Sequence, residues 1–247
     1  TLGKTRSEEP KRLWREKAAM IVPLVIFFML GALVDTSPIH DGETIHASAY
    51  FGLVVARVVL MTAAIGFFGQ AILRQFPVAF DRWGWLVGLL GAVIWIAVCS
   101  LDLERSIARS AGMADDWLPQ REGVNPFTTY TSGAELAFFL AFRFALLAIC
   151  VPIAEELFLR GFVMRAFEVE NWTELPLAQI GRTGLFIGTL YGVATHPGEC
   201  VAAALWFSLV SLLMVKTGKF WNCVIAHAVT NLILGLYVCV SGNWQLW

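Results

Sequence analysis

Charged residues are scarce in this chain. Asp, Glu, Lys and Arg make up 15% of 247 residues, where a soluble domain carries about a quarter. Such a chain cannot cover a globular surface with charge, and its 57% hydrophobic content points to the bilayer instead. Basic residues form no dense face and do not alternate with exposed aromatics, which excludes a nucleic-acid partner. The cysteines (Cys99, Cys150, Cys200, Cys223 and Cys239) are dispersed with no C-x-x-C pair, so neither a disulfide frame nor a zinc ribbon is expected; they read as small buried hydrophobes. There is no H-E-x-x-H, no fixed-period repeat and no low-complexity tract. No cleavable signal peptide is expected, because the first apolar run is long enough to span and no small-residue cleavage site follows it.

What is present is a series of long apolar runs. Residues 1–17 form a basic stretch (Lys4, Arg6, Lys11, Arg12, Arg15, Lys17), read as a flexible, solvated cytoplasmic tail by the positive-inside rule. Residues 18–247 read as a single transmembrane helical domain. Spans are expected over about 18–34, 47–73, 83–100, 134–167, 183–195, 201–215 and 222–240. The loop "DTSPIHDGETIH" has no Lys or Arg and suits the outer side, while "RQFPVAFDRW", the link between Arg165 and Arg182, and "KTGKFW" suit the inside. The polar stretch 101–134 carries mixed charge, including Asp115, Asp116, Arg121 and Glu122. Trp83, Trp85, Trp244 and Trp247 suit an interfacial belt. The fold class is therefore all-α: a polytopic bundle of about seven spans with a cavity between helices, in the cell membrane, N-terminus inside. The fourth span exceeds 30 residues, roughly 50 Å of helix against a hydrocarbon core of about 30 Å, so it must tilt, kink near Pro152 or protrude. The fifth and sixth are short and read as one hairpin broken at Pro197-Gly198.

Ionisable groups at membrane depth mark function by default. They are Arg57, Glu135, Arg143, Glu155, Glu156, Arg160, His196 and His227, with Asn231 as a neutral companion. In "PIAEELFLRG" the two carboxylates are adjacent, about 100° apart around a helix, and cannot face one point. Glu156 and Arg160 are spaced i, i+4 with the acid first, the favourable order for an ion pair. Glu155 then points elsewhere, and an unpaired carboxylate in a low-dielectric site can accept a proton. The competing reading is one structural charge cluster holding helices together. In "AHAVTN", His227 and Asn231 share a helix face. They can donate to an oxyanion, ligate a metal or form a packing pair. His196, at the break in "YGVATHPG", is a lone histidine at a helix end. Arg57 and Arg143 pair with Glu135 or the carboxylate cluster, or snorkel to an interface, or rank as second-tier groups to receive a substrate's carboxylate.

"PIAEELFLRG" resembles the E-E-x-x-x-R motif of the CAAX prenyl endopeptidases, the CPBP or Abi family of intramembrane glutamate proteases, and "KTGKFWNCVIAHAVTN" resembles that family's final H-x-x-x-N motif. His196 supplies the histidine of the middle F-x-x-x-H motif, but Gly192 stands at the aromatic position and Tyr191 lies one residue earlier. The resemblance covers about 134–240. It implies Glu155 as general base assisted by His196, His227 and Asn231 as oxyanion site, and Glu156 with Arg160 as positioning groups. It also implies peptide-bond hydrolysis without a covalent intermediate or cofactor, in a cavity opening toward the cytosol. The implied substrate is a membrane-anchored protein or peptide: in the prenyl-protease members a prenylated Cys-a-a-X tail, elsewhere a non-prenylated sorting or peptide substrate. The competing functions are a zinc protease using Glu155, His196 and His227, a non-enzymatic scaffold or bacteriocin-immunity protein of the same fold, and a proton-coupled transporter. The last is disfavoured by the lack of an inverted repeat of broken helices. Depth sets a constraint. His196 lies 14 residues past Arg182, roughly 21 Å of helix, but His227 only seven past Phe220, roughly 10 Å. The two converge only if the fifth span tilts or begins above the interface.

Overall fold

Helices account for nearly all of the secondary structure in a computed structural model that describes residues 5–34, 44–114 and 123–246; no strand occurs among the described residues. Lys4, most of the first loop (35–43), residues 115–122 with Asp115, Asp116, Arg121 and Glu122, and Trp247 lie outside them. We number the helices α1 (Thr5–Gly31), α2 (Thr44–Gln75), α3 (Arg82–Ser100), α4 (Leu103–Ser110), α5 (Gly133–Ala166), α6 (Arg182–Thr195), α7 (Cys200–Thr217) and α8 (Phe220–Ser241). A single turn, Pro126–Thr129, precedes α5.

Among the described residues five helices are long and apolar enough to cross a membrane: α2, α3, α5, α7 with the turn before it, and α8. The expected seven spans are not all reached by this measure, for two physical reasons, although α1 and α6 also run between the two ends of the bundle. Helix α6 has only 14 residues, about 21 Å. The apolar part of α1 is continuous with its charged beginning, so Arg15, Glu16 and Lys17 are helical and Glu16 is buried. The stretch 5–17 is thus the start of α1 rather than a flexible tail. The expected hairpin broken at Pro197-Gly198 is formed by α6 and α7 across a 3-10 turn, Pro197–Glu199.

In lipid there is little hydrophobic drive between helices, so close packing of small residues and hydrogen bonds must hold them. Helix α3 meets α8 through Gly84 and Gly88; a Cβ on Gly88 would lie 2.7 Å from the Ala226 carbonyl oxygen. At the same crossing Thr230 Oγ1 donates to the Gly88 carbonyl at 2.9 Å and accepts from Trp206 Nε1 at 3.0 Å, joining α3, α7 and α8. Phe67, Phe138, Ile149, Phe186 and Val240 face outward, as lipid-facing side chains would.

Helix α5 is not a uniform α-helix. It carries π-helical turns at Leu146–Cys150 and Leu157–Val163, with Val151–Glu156 between them. Pro152 has no N–H and crowds the carbonyl four residues before it, and a wider turn immediately upstream relieves that conflict. Single π turns often accompany functional sites, and here both acids sit between two of them.

One pole of the bundle is closed by hydrogen bonds. Arg165 donates to the carbonyls of Leu175 (2.9 Å), Gly161 (3.1 Å) and Thr173 (2.8 Å), pinning the 167–181 loop. Trp221 Nε1 donates to the Phe76 carbonyl at 2.9 Å, and Lys219 Nζ meets Asp81 at 2.8 Å.

Candidate functional site

Glu156 is completely buried, and Arg160 Nη1 donates to its two oxygens at 2.8 and 2.6 Å, as the i, i+4 spacing predicts. Its Nη2 reaches the Phe207 carbonyl at 3.4 Å, and the guanidinium lies 6.0 Å from the Trp206 ring centre and 5.8 Å from that of Phe207. His227 Nδ1 lies 3.0 Å from Glu156 Oε1. Helices α5, α7 and α8 are therefore clamped around one buried ion pair. A buried pair of this kind holds geometry more than it adds stability.

Glu155 takes the other direction. It lines a cavity of about 290 Å³ together with His196, His227 and Asn231, so one hollow gathers the four residues singled out in the sequence. Its Oε2 lies 3.8 Å from His227 Nε2, too long for a direct hydrogen bond and short enough for one water to bridge. Tyr191 also lines the cavity, with its hydroxyl against the Glu155 carboxylate.

Tautomers follow from the partners. The Glu156 carboxylate already accepts from Arg160, so the proton between it and His227 sits on Nδ1. Nε2 of a neutral His227 is then an acceptor, and the ring donates into the cavity only when it carries both protons; carboxylates stand on either side to balance that charge. The ring is held edge-on to Trp206 at 4.8 Å. Asn231 spends one amide hydrogen on the Leu147 carbonyl at 3.0 Å, which leaves its second N–H and its oxygen for the cavity.

His196 resolves the depth problem by folding back. Its Nδ1 lies 3.1 Å from the Gly192 carbonyl, one turn earlier, and 3.0 Å from Thr195 Oγ1. The ring thereby rests against Phe207 (5.7 Å) and Trp95 (5.3 Å), level with the Trp206 that supports His227. Gly192 is what allows this. A Cβ there would collide with the Phe207 ring. Where the family pattern carries an aromatic on the histidine's own helix, α7 supplies one from across the hairpin.

Arg143 is buried and lines the cavity. Arg57 does not line it. It donates Nε to the Phe27 carbonyl at 3.1 Å and lies 4.0 Å from that ring's centre, bracing α1 behind the wall. Neither pairing expected for it, with Glu135 or with the carboxylate cluster, accounts for it: its long side chain reaches a backbone oxygen on α1 first. Glu135 sits exposed in the first turn of α5, favourable for an acid near a helix N-terminus and remote from the cavity lining. Sequence reasoning missed Trp95, Trp206, Phe207, Thr230 and the buried acid Glu199. Only Glu199 carried a signal, a charge beside the hairpin break. Among the described residues no three His, Cys, Asp or Glu side chains are grouped to hold a metal ion.

Residues 137–233, which contain all four cavity residues of the motifs, match the family described as Rce1-like, type II CAAX prenyl endopeptidase. Neither the curated proteins nor the solved structures gave a match.

Proposed function

We propose that this chain, whose residues 137–233 are those of the Rce1-like type II CAAX prenyl endopeptidase family, is an intramembrane endopeptidase that hydrolyses a peptide bond with a water activated by Glu155. The observation that carries the reading is the division of two adjacent acids: Glu156 is consumed by Arg160 and His227, while Glu155 faces the shared cavity.

Glu155 takes a proton from water, and the water oxygen bonds to the scissile carbonyl carbon. The carbonyl oxygen becomes an oxyanion that receives an N–H bond from Asn231, and one from His227 when the ring's Nε2 carries a proton. Preorganised donors of this type in a dry site supply a large share of the rate. His196, with Nδ1 occupied by the Gly192 carbonyl, offers Nε2 to orient the water. The proton held by Glu155 passes to the leaving nitrogen as the C–N bond breaks. Glu156 and Arg160 are positioning residues. Apolar walls from Leu24, Phe27 and Leu234 would hold the substrate's hydrophobic part, and Arg143 would receive a carboxylate. The substrate class is a membrane-anchored protein or peptide, with the prenylated tail in the family's name as first candidate.

The test compares membrane proteomes of cells carrying the wild type and Glu155→Gln, reading new termini. Termini found only with the wild type are expected. A folded Glu155→Gln protein that produces the same termini would end this reading in favour of a scaffold.

A further inference from the structure

Basic side chains divide the loops into two poles. Arg74, Arg82, Arg165, Arg182, Lys216 and Lys219 flank the loops at the pole where α2, α5 and α7 end, and Arg15 and Lys17, either side of the Glu16 that meets Arg74, lie there too. The described residues flanking the loops of the other pole include Arg105 and Arg109 beside the acids Asp102, Glu104 and Glu199. Lys and Arg in short loops set orientation, and the rule places the first pole in the cytoplasm.

The cavity belongs to the second pole. Its lining includes Phe28, three residues before α1 ends, and Thr195, His196 and Glu199 at the α6–α7 joint. It also includes Leu246, beyond the end of α8. No lining residue comes from 76–81, 167–181 or 218–219, the segments hydrogen-bonded shut at the basic pole. Phe28 and Thr195 are both exposed, so the hollow reaches the surface where they stand.

We infer that the cavity's mouth faces away from the cytoplasm, and that its substrate is a membrane-tethered polypeptide whose cleavable segment lies on the extracytoplasmic side. This rests on the proposed function for its choice of occupant, replaces the prenylated tail named there as first candidate, and departs from the cytosolic opening that the family resemblance implies. Prenyl groups are attached to proteins in the cytosol, so a cytosolic prenylated tail would meet the closed pole. The substrate class becomes an exported protein held in the membrane by a helix or by a lipid added outside.

The test reads the mouth without relying on catalysis. Thr195→Cys at the mouth, Thr131→Cys at the same pole and Val78→Cys at the basic pole are placed singly in the full chain. All three positions are exposed. Intact cells are treated with a membrane-impermeant maleimide, with the wild type correcting for native cysteines. Thr195→Cys and Thr131→Cys are expected to label in intact cells, and Val78→Cys only after permeabilisation. Labelling of Val78→Cys in intact cells, or of Thr195→Cys only after permeabilisation or not at all, overturns the inference. With the labelling as expected, the Glu155-dependent termini decide the occupant. Termini on extracytoplasmic segments support it, and termini on cytosolic prenylated proteins overturn it. If no Glu155-dependent termini appear while the labelling holds, the protease reading fails and the orientation of the mouth stands.

Discussion

Glu156 accepts bonds from Arg160 and His227 where no water reaches, whereas Glu155, one residue earlier, faces a cavity of about 290 Å³. The contrast extends outward from the pair. Behind Glu156 the structure is sealed: the Arg160 clamp, the Arg165 bonds to the 167–181 loop, and the Asp81–Lys219 contact at the basic pole. In front of Glu155 the groups keep unused hydrogen-bonding capacity, as on Asn231. The same residue type does different work on the two sides because a helix turns about 100° per residue. Substitutions on the wetted side should therefore remove activity and spare the fold, and those on the sealed side should cost stability first and activity through the positions it holds.

Glu155→Gln gives the largest effect. It keeps shape and removes the base, so turnover of a cleaved peptide should fall by about 10²–10⁴-fold, the usual worth of a general base. Thermal unfolding in detergent should be nearly unchanged. A Glu155→Gln protein that unfolds well below the wild type would place Glu155 on the sealed side and dissolve the contrast.

Arg160→Met comes next, with a stability loss that Glu155→Gln lacks. It leaves Glu156 charged and buried without its main partner, a loss of about 3–5 kcal/mol in stability. The pair Glu156→Leu with Arg160→Met should recover much of that stability, since apolar groups often replace a buried ion pair at little cost. It should not recover turnover, because His227 would lose the acceptor that fixes its tautomer. Recovery of both would mean that the clamp plays no part in positioning the site.

Much of this contrast was legible in the sequence, for a local reason. The Glu156–Arg160 pair is an i, i+4 contact and the turning-away of Glu155 is helix geometry, so neither needs tertiary information. The gathering of His196 with His227 was not legible from helix lengths, because it depends on a ring folding back over its own helix and on Phe207 arriving from α7. The helical start of α1 was missed because its dense charge resembles a solvated tail, although Glu, Lys and Arg are good helix formers. The π turns of α5 are changes of register that no periodicity in the sequence marks.

Gly192→Ala tests whether that non-local gathering matters. The new methyl would press on the Phe207 ring, and overpacking of this kind costs about 1–3 kcal/mol. Because Phe207 also supports His196, turnover should fall more than substrate affinity does. Trimming the opposing ring with Phe207→Leu in the same protein should restore part of the stability. An unchanged melting temperature in Gly192→Ala would show that the hairpin is looser than the contact implies.

The smallest effect belongs to the rim of the sealed side. Asp81 accepts from Lys219 Nζ at 2.8 Å, from the Trp83 backbone N–H at 3.0 Å as the cap of α3, and from Asn222 Nδ2 at 3.1 Å. The Lys219 hydrogen bond, followed by the Trp83 N–H, holds its carboxyl below the ordinary aspartate value. A depressed folded-state pKa contributes stability that is fully present above the unfolded value, about pH 4, and is lost as pH falls through the lower, folded value. The melting temperature of the wild type should therefore drop more steeply in acid than that of Asp81→Asn, which keeps a capping oxygen and has no proton to gain. Near neutral pH the two should differ little, since a solvent-exposed ion pair is screened by water and salt. Parallel acid-side curves for the two proteins would show that Asp81 ties α3 to α8 by its hydrogen bonds to Trp83 and Asn222 alone, with its charge playing no part in closing the basic pole.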